Sequence, residues 1–412
     1  MISYQLSLNK SIYIEVPPLR FPEFTDEWKT YKVSDVLDFY STNSLSWDQL
    51  EYSDGELRNL HYGLIHVGLP TLVNLKDDLL PTIKEGNTPK NYTLCLNGDV
   101  AFADASEDTN DVAKAIELVE TDGNKVVFGL HTIHGRDNKG LTTLGFKGYA
   151  FSSKVFHDQI KCIAQGTKIY SISSKNFSEC YIGIPNKAEQ SKIARLLSLL
   201  DRRIAVQSGL IKDLQKLKAA LVERLFCNKQ GWKRYKYRDL LSPISERNSG
   251  NQFSNVLSAS QELGMVSRTD LDIDIKFDRS AVTTYKIVRD GDYVLHLRSF
   301  QGGLAFSSMT GICSPAYTIL RPVKELEYGF FREYFMSKSF INSLRLVTYG
   351  IRDGRSINVD EFLDMPVEIP DSATQCRIIS ILSIMNRRLR LAIKQNENYF
   401  KQKQYLLQQM FI

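Results

Sequence analysis

A stretch of 43 residues from Ile184-Pro185 to Phe226 returns without a gap from Ile369-Pro370 to Phe411. Across this offset of 185, Ile184, Pro185, Ala188, Gln190, Ile193, Leu197, Ser198, Arg202, Arg203, Lys216, Lys218, Leu221 and Phe226 recur identically. Leu196, Leu200 and Ile204 are answered conservatively by Ile381, Met385 and Leu389. A repeat of this length is too long for a solenoid unit. It implies a duplicated domain plus helix, and therefore an internal two-fold.

The duplication reaches beyond this stretch. Trp28-Lys29 with Tyr31-Lys32 and Asp35-Val36-Leu37 matches Trp232-Lys233 with Tyr235-Lys236 and Asp239-Leu240-Leu241, at an offset of 204. In each copy a Gly-Asp turn precedes an apolar run, Gly98-Asp99-Val100-Ala101-Phe102 and Gly291-Asp292-Tyr293-Val294-Leu295. A polar residue before Gly-Asp signals a turn, and the β-branched and aromatic residues behind it favour a strand. Lys125-Val126-Val127-Phe128 and Tyr317-Thr318-Ile319-Leu320 read as further strands. Ser171-Ile172 and Ser356-Ile357 fall back into the 185 register, as do Phe177 and Phe362. The order is globule, helix, globule, helix, with globule interiors that differ almost throughout.

Heptads counted from Ile193 place Ile193, Leu200, Gln207, Leu214 and Leu221 at a, with Leu197, Ile204, Ile211, Lys218 and Leu225 at d. The second copy has Ile378, Met385, Ala392, Tyr399 and Leu406 at a, and Leu382, Leu389, Asn396, Lys403 and Met410 at d. Eight of ten positions are apolar in each, which sustains a coiled-coil seam. Each helix opens after an Ile-Pro pair, where proline is tolerated, and about 40 residues extend roughly 60 Å. A two-fold relating the copies lays the helices antiparallel. Lys218 and Lys403 either set the register or reach water at the seam edge.

The expected class is α+β: two mixed α/β globules, separated by two long antiparallel coiled-coil helices, in a pseudo-two-fold repeat. The expected divisions are an N-terminal extension (1–18), a first globule (19–185), a central helix (186–228), a second globule (229–369) and a C-terminal helix (370–412).

At 412 residues, more than one core is expected. A net charge of +5 allows a polyanion partner without requiring one. Cys95, Cys162, Cys180, Cys227, Cys313 and Cys376 are scattered with no C-x-x-C, which reads as reduced thiols rather than a disulfide framework or a zinc site. No apolar window is long enough to span a membrane and no signal-peptide pattern opens the chain, so a cytoplasmic location is expected. Gly350 to Ser356 is one residue short of a Walker A loop and has Arg355 at the lysine position. Val16-Pro17-Pro18-Leu19 lacks the polar residue of an amino-methyltransferase motif. His131 and His134 have no cysteine pair nearby, so no metal site is expected. No catalytic residue is expected on this chain.

This layout resembles the specificity (S) subunits of Type I restriction–modification enzymes over essentially the whole chain. The resemblance rests on Leu19-Arg20-Phe21-Pro22-Glu23-Phe24 leading to Trp28, on the two Ile-Pro-x-x-x-x-Gln helices, and on Gly231-Trp232. His61-Tyr62-Gly63-Leu64-Ile65-His66, Asp104-Ala105-Ser106 and Gly129-Leu130-His131-Thr132 look like one type of target-recognition domain. Leu257 to Gly264, Arg298-Ser299-Phe300-Gln301-Gly302-Gly303 and Tyr349 to Arg355 look like another. The stretch before Leu19 has no counterpart in this pattern.

The resemblance implies that each globule reads one half of a bipartite, asymmetric site on double-stranded DNA. It implies that the helices space the readers and dock two methyltransferase (M) subunits, which bind S-adenosylmethionine and methylate adenine N6. Two restriction/translocase (R) subunits, which use ATP and Mg, complete the complex. The helix-seam residues tied to this docking are Ile193, Leu197, Leu200, Ile204, Ile378, Leu382, Met385 and Leu389. Helices of this length can hold readers about one DNA turn, roughly 34 Å, apart. The alternative is a duplicated coiled-coil scaffold without sequence-specific DNA binding.

Arg suits guanine O6/N7 and Gln suits adenine N6/N7. Candidate DNA contacts in the second globule are Arg298, Gln301, Tyr349, Arg352 and Arg355; the alternative for Arg298 and Arg352 is an internal ion pair with Asp292 or Asp353. In the first globule they are His66, Ser106, His131, Thr132, Arg136 and Lys168, with Asp104 and Glu107 to orient them. The competing reading there is scaffolding by buried histidines and Asp-Ser turns. Trp28 and Trp232 read as core anchors. Arg202-Arg203 and Arg387-Arg388 either face a partner or form a solvated surface.

Overall fold

The duplicated sequence forms two long helices, Lys187–Cys227 of 41 residues and Ser372–Gln409 of 38, in the computed structural model. The structure describes residues 16–227, 229–260, 263–270, 279–323, 325–349 and 356–412. All ten heptad positions of each helix are buried or half-buried, including the polar Gln207, Lys218, Asn396 and Lys403. The periodic apolar stripe therefore marks the surface withdrawn from water. No helix among the described residues is long and apolar enough to cross a membrane.

The chain forms two compact units, Met1–Ser208 with Gln395–Ile412, and Gly209–Lys394. Each joins one globule to part of both helices. Within the first unit Lys403 meets Asp201 and Asn396 meets Ser208, so the helices run antiparallel there.

In the first unit, strand Lys29–Lys32 pairs antiparallel with Tyr181–Ile184, bringing both ends of the globule to the start of the first long helix. A five-stranded sheet runs in the order Asp38–Tyr40, Thr132–Arg136, Val100–Ala103, Ala115–Glu120, Leu72–Asn74. A second sheet orders Lys125–Phe128, Leu57–Leu60, Thr82–Ile83 and Leu50–Glu51. Phe102, Phe146, Tyr149, Phe151 and Phe177 form a fully buried aromatic core that continues into Ile193, Leu197 and Leu200 of the helix. Trp28 is buried against Phe146 and Phe411 and donates its indole N–H to Glu189.

The second unit repeats the frame with a smaller sheet. Lys233–Lys236 pairs with Pro366–Ile369, and a four-stranded sheet orders Leu241–Ile244, Thr318–Pro322, Tyr293–Leu295 and Ala305–Phe306. Its core joins Tyr237, Phe331, Phe335, Phe340 and Phe362 to Ile378 and Leu382. Trp232 is half-buried beside Phe226 and Phe330.

Two features explain why specific polar residues recur. Gln190 is fully buried, donates to the Pro185 and Leu141 carbonyls (2.9 and 3.1 Å) and accepts from Thr143 N (2.7 Å). Gln375 repeats the pattern with Pro370 O (3.1 Å), Glu325 O (2.8 Å) and Glu327 N (2.9 Å). The glutamine of the Ile-Pro motif thus ties each helix start to its globule, satisfying buried backbone groups of the globule and of the proline before the helix. The second feature is the Gly-Asp turn. Asp99 accepts from Leu96 N and takes both arms of Arg136, while Asp292 accepts from Arg289 N and takes both arms of Arg321.

Candidate nucleic-acid interface

In both globules the candidate loops rise from one place, the C-terminal end of the strand that follows the Gly-Asp turn. In the first, Thr132 faces Ala103 across the sheet, so the next residues, His131 and Asp104, meet where the two strands end. His131 Nδ1 lies 3.1 Å from Asp104 Oδ1, and His131 adopts a left-handed φ of 55°. Gly129, two residues earlier, passes so close to Asn59 that a Cβ would sit 2.3 Å from Asn59 Oδ1. That close approach fixes glycine at the start of the Gly-Leu-His-Thr motif.

Helix Tyr62–Val67 closes over this corner, capped by His61, whose Nδ1 accepts from Gly63 N at 3.1 Å. The Tyr62 ring meets His61 at 4.7 Å, His131 at 5.1 Å and His66 at 5.9 Å, and the Trp47 ring lies tilted against His61 at 4.6 Å. His66 Nε2 lies 3.0 Å from the Ala105 carbonyl. Burial, with the neighbouring His131 adding to it, lowers the His61 pKa and keeps that ring neutral at pH 7. The arrangement offers two partly exposed imidazoles, a carboxylate and an aromatic wall: hydrogen-bonding groups for base edges beside apolar surface for a thymine methyl.

His66, Ser106 and His131 come together here, with Thr132 directly beneath. Thr132 is buried and its hydroxyl donates to Gly129 O at 2.6 Å, so it shapes the turn from below. Ser106 is half-buried and caps Asp108 N. Its short strand Ala105–Ser106 pairs with Tyr170–Ser171, which places exposed Lys168 in the loop entering that pair. Glu107 is exposed beside Ser106.

Arg136 stands apart from the group. It sits at the other end of its strand, its guanidinium held by Asp99 at 2.7 Å and lying 4.7 Å from the Tyr40 ring centre. Burial works against the charge on Asp99, but hydrogen bonds from Arg136 and His134 outweigh it and hold the carboxyl below its usual range. Arg321, 185 residues after Arg136, makes the same pair with Asp292 of the second Gly-Asp turn, so Arg136 serves the scaffold that both globules share. Among the described residues Cys95, Asp99 and His134 form a buried cluster of metal-ligand type. Its carboxylate already carries the Arg136 cation, and His131 points elsewhere.

In the second globule Tyr293–Leu295 ends at buried His296, and the single-turn helix Ser299–Gly302 follows at once. Arg298 and Gln301 are exposed on it, and neither side chain has a hydrogen bond among the described residues. Asp292 pairs with Arg321, which leaves Arg298 without that ion pair. Gly303 has φ 77°, and a Cβ there would fall 1.8 Å from Phe335 O, so the turn is pressed onto the core below it. The turn lies against Ser356–Ile357, which pairs with Thr348–Tyr349. Arg298, Gln301 and Tyr349 are therefore grouped; Tyr349 is 54% exposed with its hydroxyl 2.6 Å from Glu361 Oε2. Arg352 and Arg355 lie outside the described residues, as do residues 1–15 of the N-terminal extension.

The seam residues Ile193, Leu197, Leu200, Ile204, Ile378, Leu382 and Met385 are buried and Leu389 is half-buried. Their side chains are spent on internal packing. Two contributors to the site escaped sequence reasoning, Trp47 and Tyr62. Tyr62 is four residues before His66 on one helix face, a spacing visible in the sequence; Trp47 reaches His61 only through the tertiary fold.

The chain repeats one frame in two units, each a globule joined to part of both long helices. Residues 129–216 match the family model of the Type I restriction modification DNA specificity domain. Over more than nine-tenths of its length the chain shares its fold with solved structures from Type I restriction–modification systems. The S subunit from M. genitalium is similar at a TM-score of 0.55 and 14% identity, over 96% of this chain and 99% of that one. A structure described as the basis of complex assembly and conformational transition in the type I R-M system is similar at 0.57 and 15% identity, over 92% and 96%. A comparison with curated proteins gave no match.

Proposed function

We propose that this chain is the non-catalytic sequence-specificity subunit of a Type I restriction–modification complex, with each globule reading one half of a bipartite DNA site. The observation that carries the reading is the contrast between frame and tips. The Gln clamp, the Gly-Asp-Arg scaffold and the helix seam recur in both units. The groups displayed at the same strand end do not: His66, His131 and Asp104 in one, Arg298, Gln301 and Tyr349 in the other. Two readers of different DNA words must differ where they touch bases, while phosphate and partner contacts need no such difference.

The helices dock two methyltransferase subunits through their outward face. Leu199 and Val206 are 51% and 68% exposed, and their repeat partners Ile384 and Leu391 are 61% and 58% exposed. Matched apolar residues seven apart on each helix suit two copies of one partner. In this reading the M subunits bring S-adenosylmethionine and the R subunits bring ATP and Mg.

A gel shift of the chain with its methyltransferase partner, at moderate salt, tests the proposal. Sequence-selective retardation is expected. Retardation of all sequences alike, or of none, favours the duplicated scaffold instead.

A further inference from the structure

The two copies of the frame differ at the outer edge of each helix start. In the first unit a segment of the chain is seated there. Leu19 N donates to Gln409 O at 2.9 Å, Arg20 grips Glu189 through two bonds of 2.7 Å, and Lys192 lies 4.6 Å from the Phe21 ring centre while pairing with Glu23. In the second unit the corresponding positions line an open groove of about 660 Å³. Its walls include Trp232, Arg224, Thr374, Arg377 and Ile381, which stand where the first unit has Trp28, Gln409, Glu189, Lys192 and Leu196.

The reason for the difference is in the chain order. At the offset that relates Trp28 to Trp232, residues 19–24 correspond to 223–228, and that stretch is largely the last turn of the first long helix. The second copy has used its counterpart of the seated segment as helix. Its walls have also changed charge: Glu189, which takes Arg20, becomes Thr374, Gln409 becomes Arg224 and Asn186 becomes Asp371, a net gain of one positive charge. Arg377 keeps the cation of Lys192, and both arginines are exposed.

We propose that this groove in the second unit binds an extended segment of another polypeptide, aromatic-Pro-acidic in sequence like Phe21-Pro22-Glu23-Phe24 but acidic where Arg20 stands. The aromatic ring lies under the Arg377 guanidinium as Phe21 lies under Lys192. Carboxylates face Arg224 and Arg377, and the apolar edge covers Ile381. The site is independent of DNA reading, so its failure and that of the proposed function are distinguishable.

The test is fluorescence anisotropy of the full chain with two labelled peptides, residues 17–27 as they stand and the same peptide with Arg20→Glu. The Arg20→Glu peptide is expected to saturate and to bind at least about tenfold tighter than the natural one, a difference near 1.4 kcal/mol. Arg377→Glu in the protein is expected to weaken the Arg20→Glu peptide at least about tenfold, with an unchanged thermal unfolding curve. No saturation up to about 1 mM, or binding indifferent to Arg377→Glu, overturns the proposal. A dimer of the chain in sedimentation that Arg377→Glu dissociates assigns the groove to a second copy and also overturns it.

Discussion

Lys403 Nζ lies 2.6 Å from Asp201 Oδ1 across the helix seam of the first unit, both side chains about one-fifth exposed. The Tyr149 hydroxyl donates to the other oxygen of Asp201 at 2.9 Å. At the repeat-related place in the second unit, Asp201 has become Asn386, and the seam has lost its carboxylate. Glu333 supplies it from the globule, taking Lys218 at 2.6 Å and Asn386 at 2.7 Å. Glu333 stands where the first globule has Tyr149, counting from the glycines Gly145 and Gly329 that both adopt positive φ. The same lysine is neutralised in both units, once by the helix and once by the globule. Lys218 and Lys403 are therefore paired register positions, and neither reaches out to water from the seam edge.

Asp201→Asn is expected to cost about 2 kcal/mol in urea unfolding, because it strands a half-buried ammonium. Adding Tyr149→Glu copies the second unit and should recover at least half of that loss. Additive losses in the double variant would show that the two sites do not couple.

The Arg136–Asp99 pair predicts a pH effect of defined sign. The Asp99 carboxyl is held below its usual range in the folded chain. Its stabilising contribution is complete above the unfolded aspartate value of about 3.9 and is lost as pH falls through the lower folded value. In Arg136→Met, burial without the guanidinium raises the Asp99 pKa, so acid unfolding should begin at higher pH. Acid-unfolding curves that superimpose would contradict the assigned scaffold role of Arg136.

The helices and the Gly-Asp strands were legible in the sequence because their signals are local: a 3.5-residue apolar period and a turn residue before a β-rich run. The recurrence of Gln190 and Gln375 was visible, but not its purpose, since the carbonyls each ties down lie in the globule as well as at the helix start. Candidate site residues were harder to sort. Arg136 and Arg298 are alike in sequence, and only Asp99, 37 residues from Arg136, separates the half-buried, paired one from the exposed one. The Tyr149–Asp201 and Glu333–Asn386 exchange was hidden for the same reason, since each pair is joined only across the fold.

The outward stripes predict a stoichiometry. Leu199→Asp should leave the chain binding one methyltransferase subunit in place of two, measured by native mass spectrometry. Leu199→Asp with Ile384→Asp should leave none. Full occupancy in the double variant would move docking away from this face.

On the proposed function, two unlike readers sit on one repeated frame. Methylome sequencing of cells carrying the chain with its methyltransferase subunit tests it most directly, comparing the natural chain with Arg298→Ala/Gln301→Ala. A motif of two specific halves around an unspecific spacer is expected, with the variant relaxing one half and leaving the other intact. A single continuous motif, or a variant that relaxes both halves equally, would contradict it.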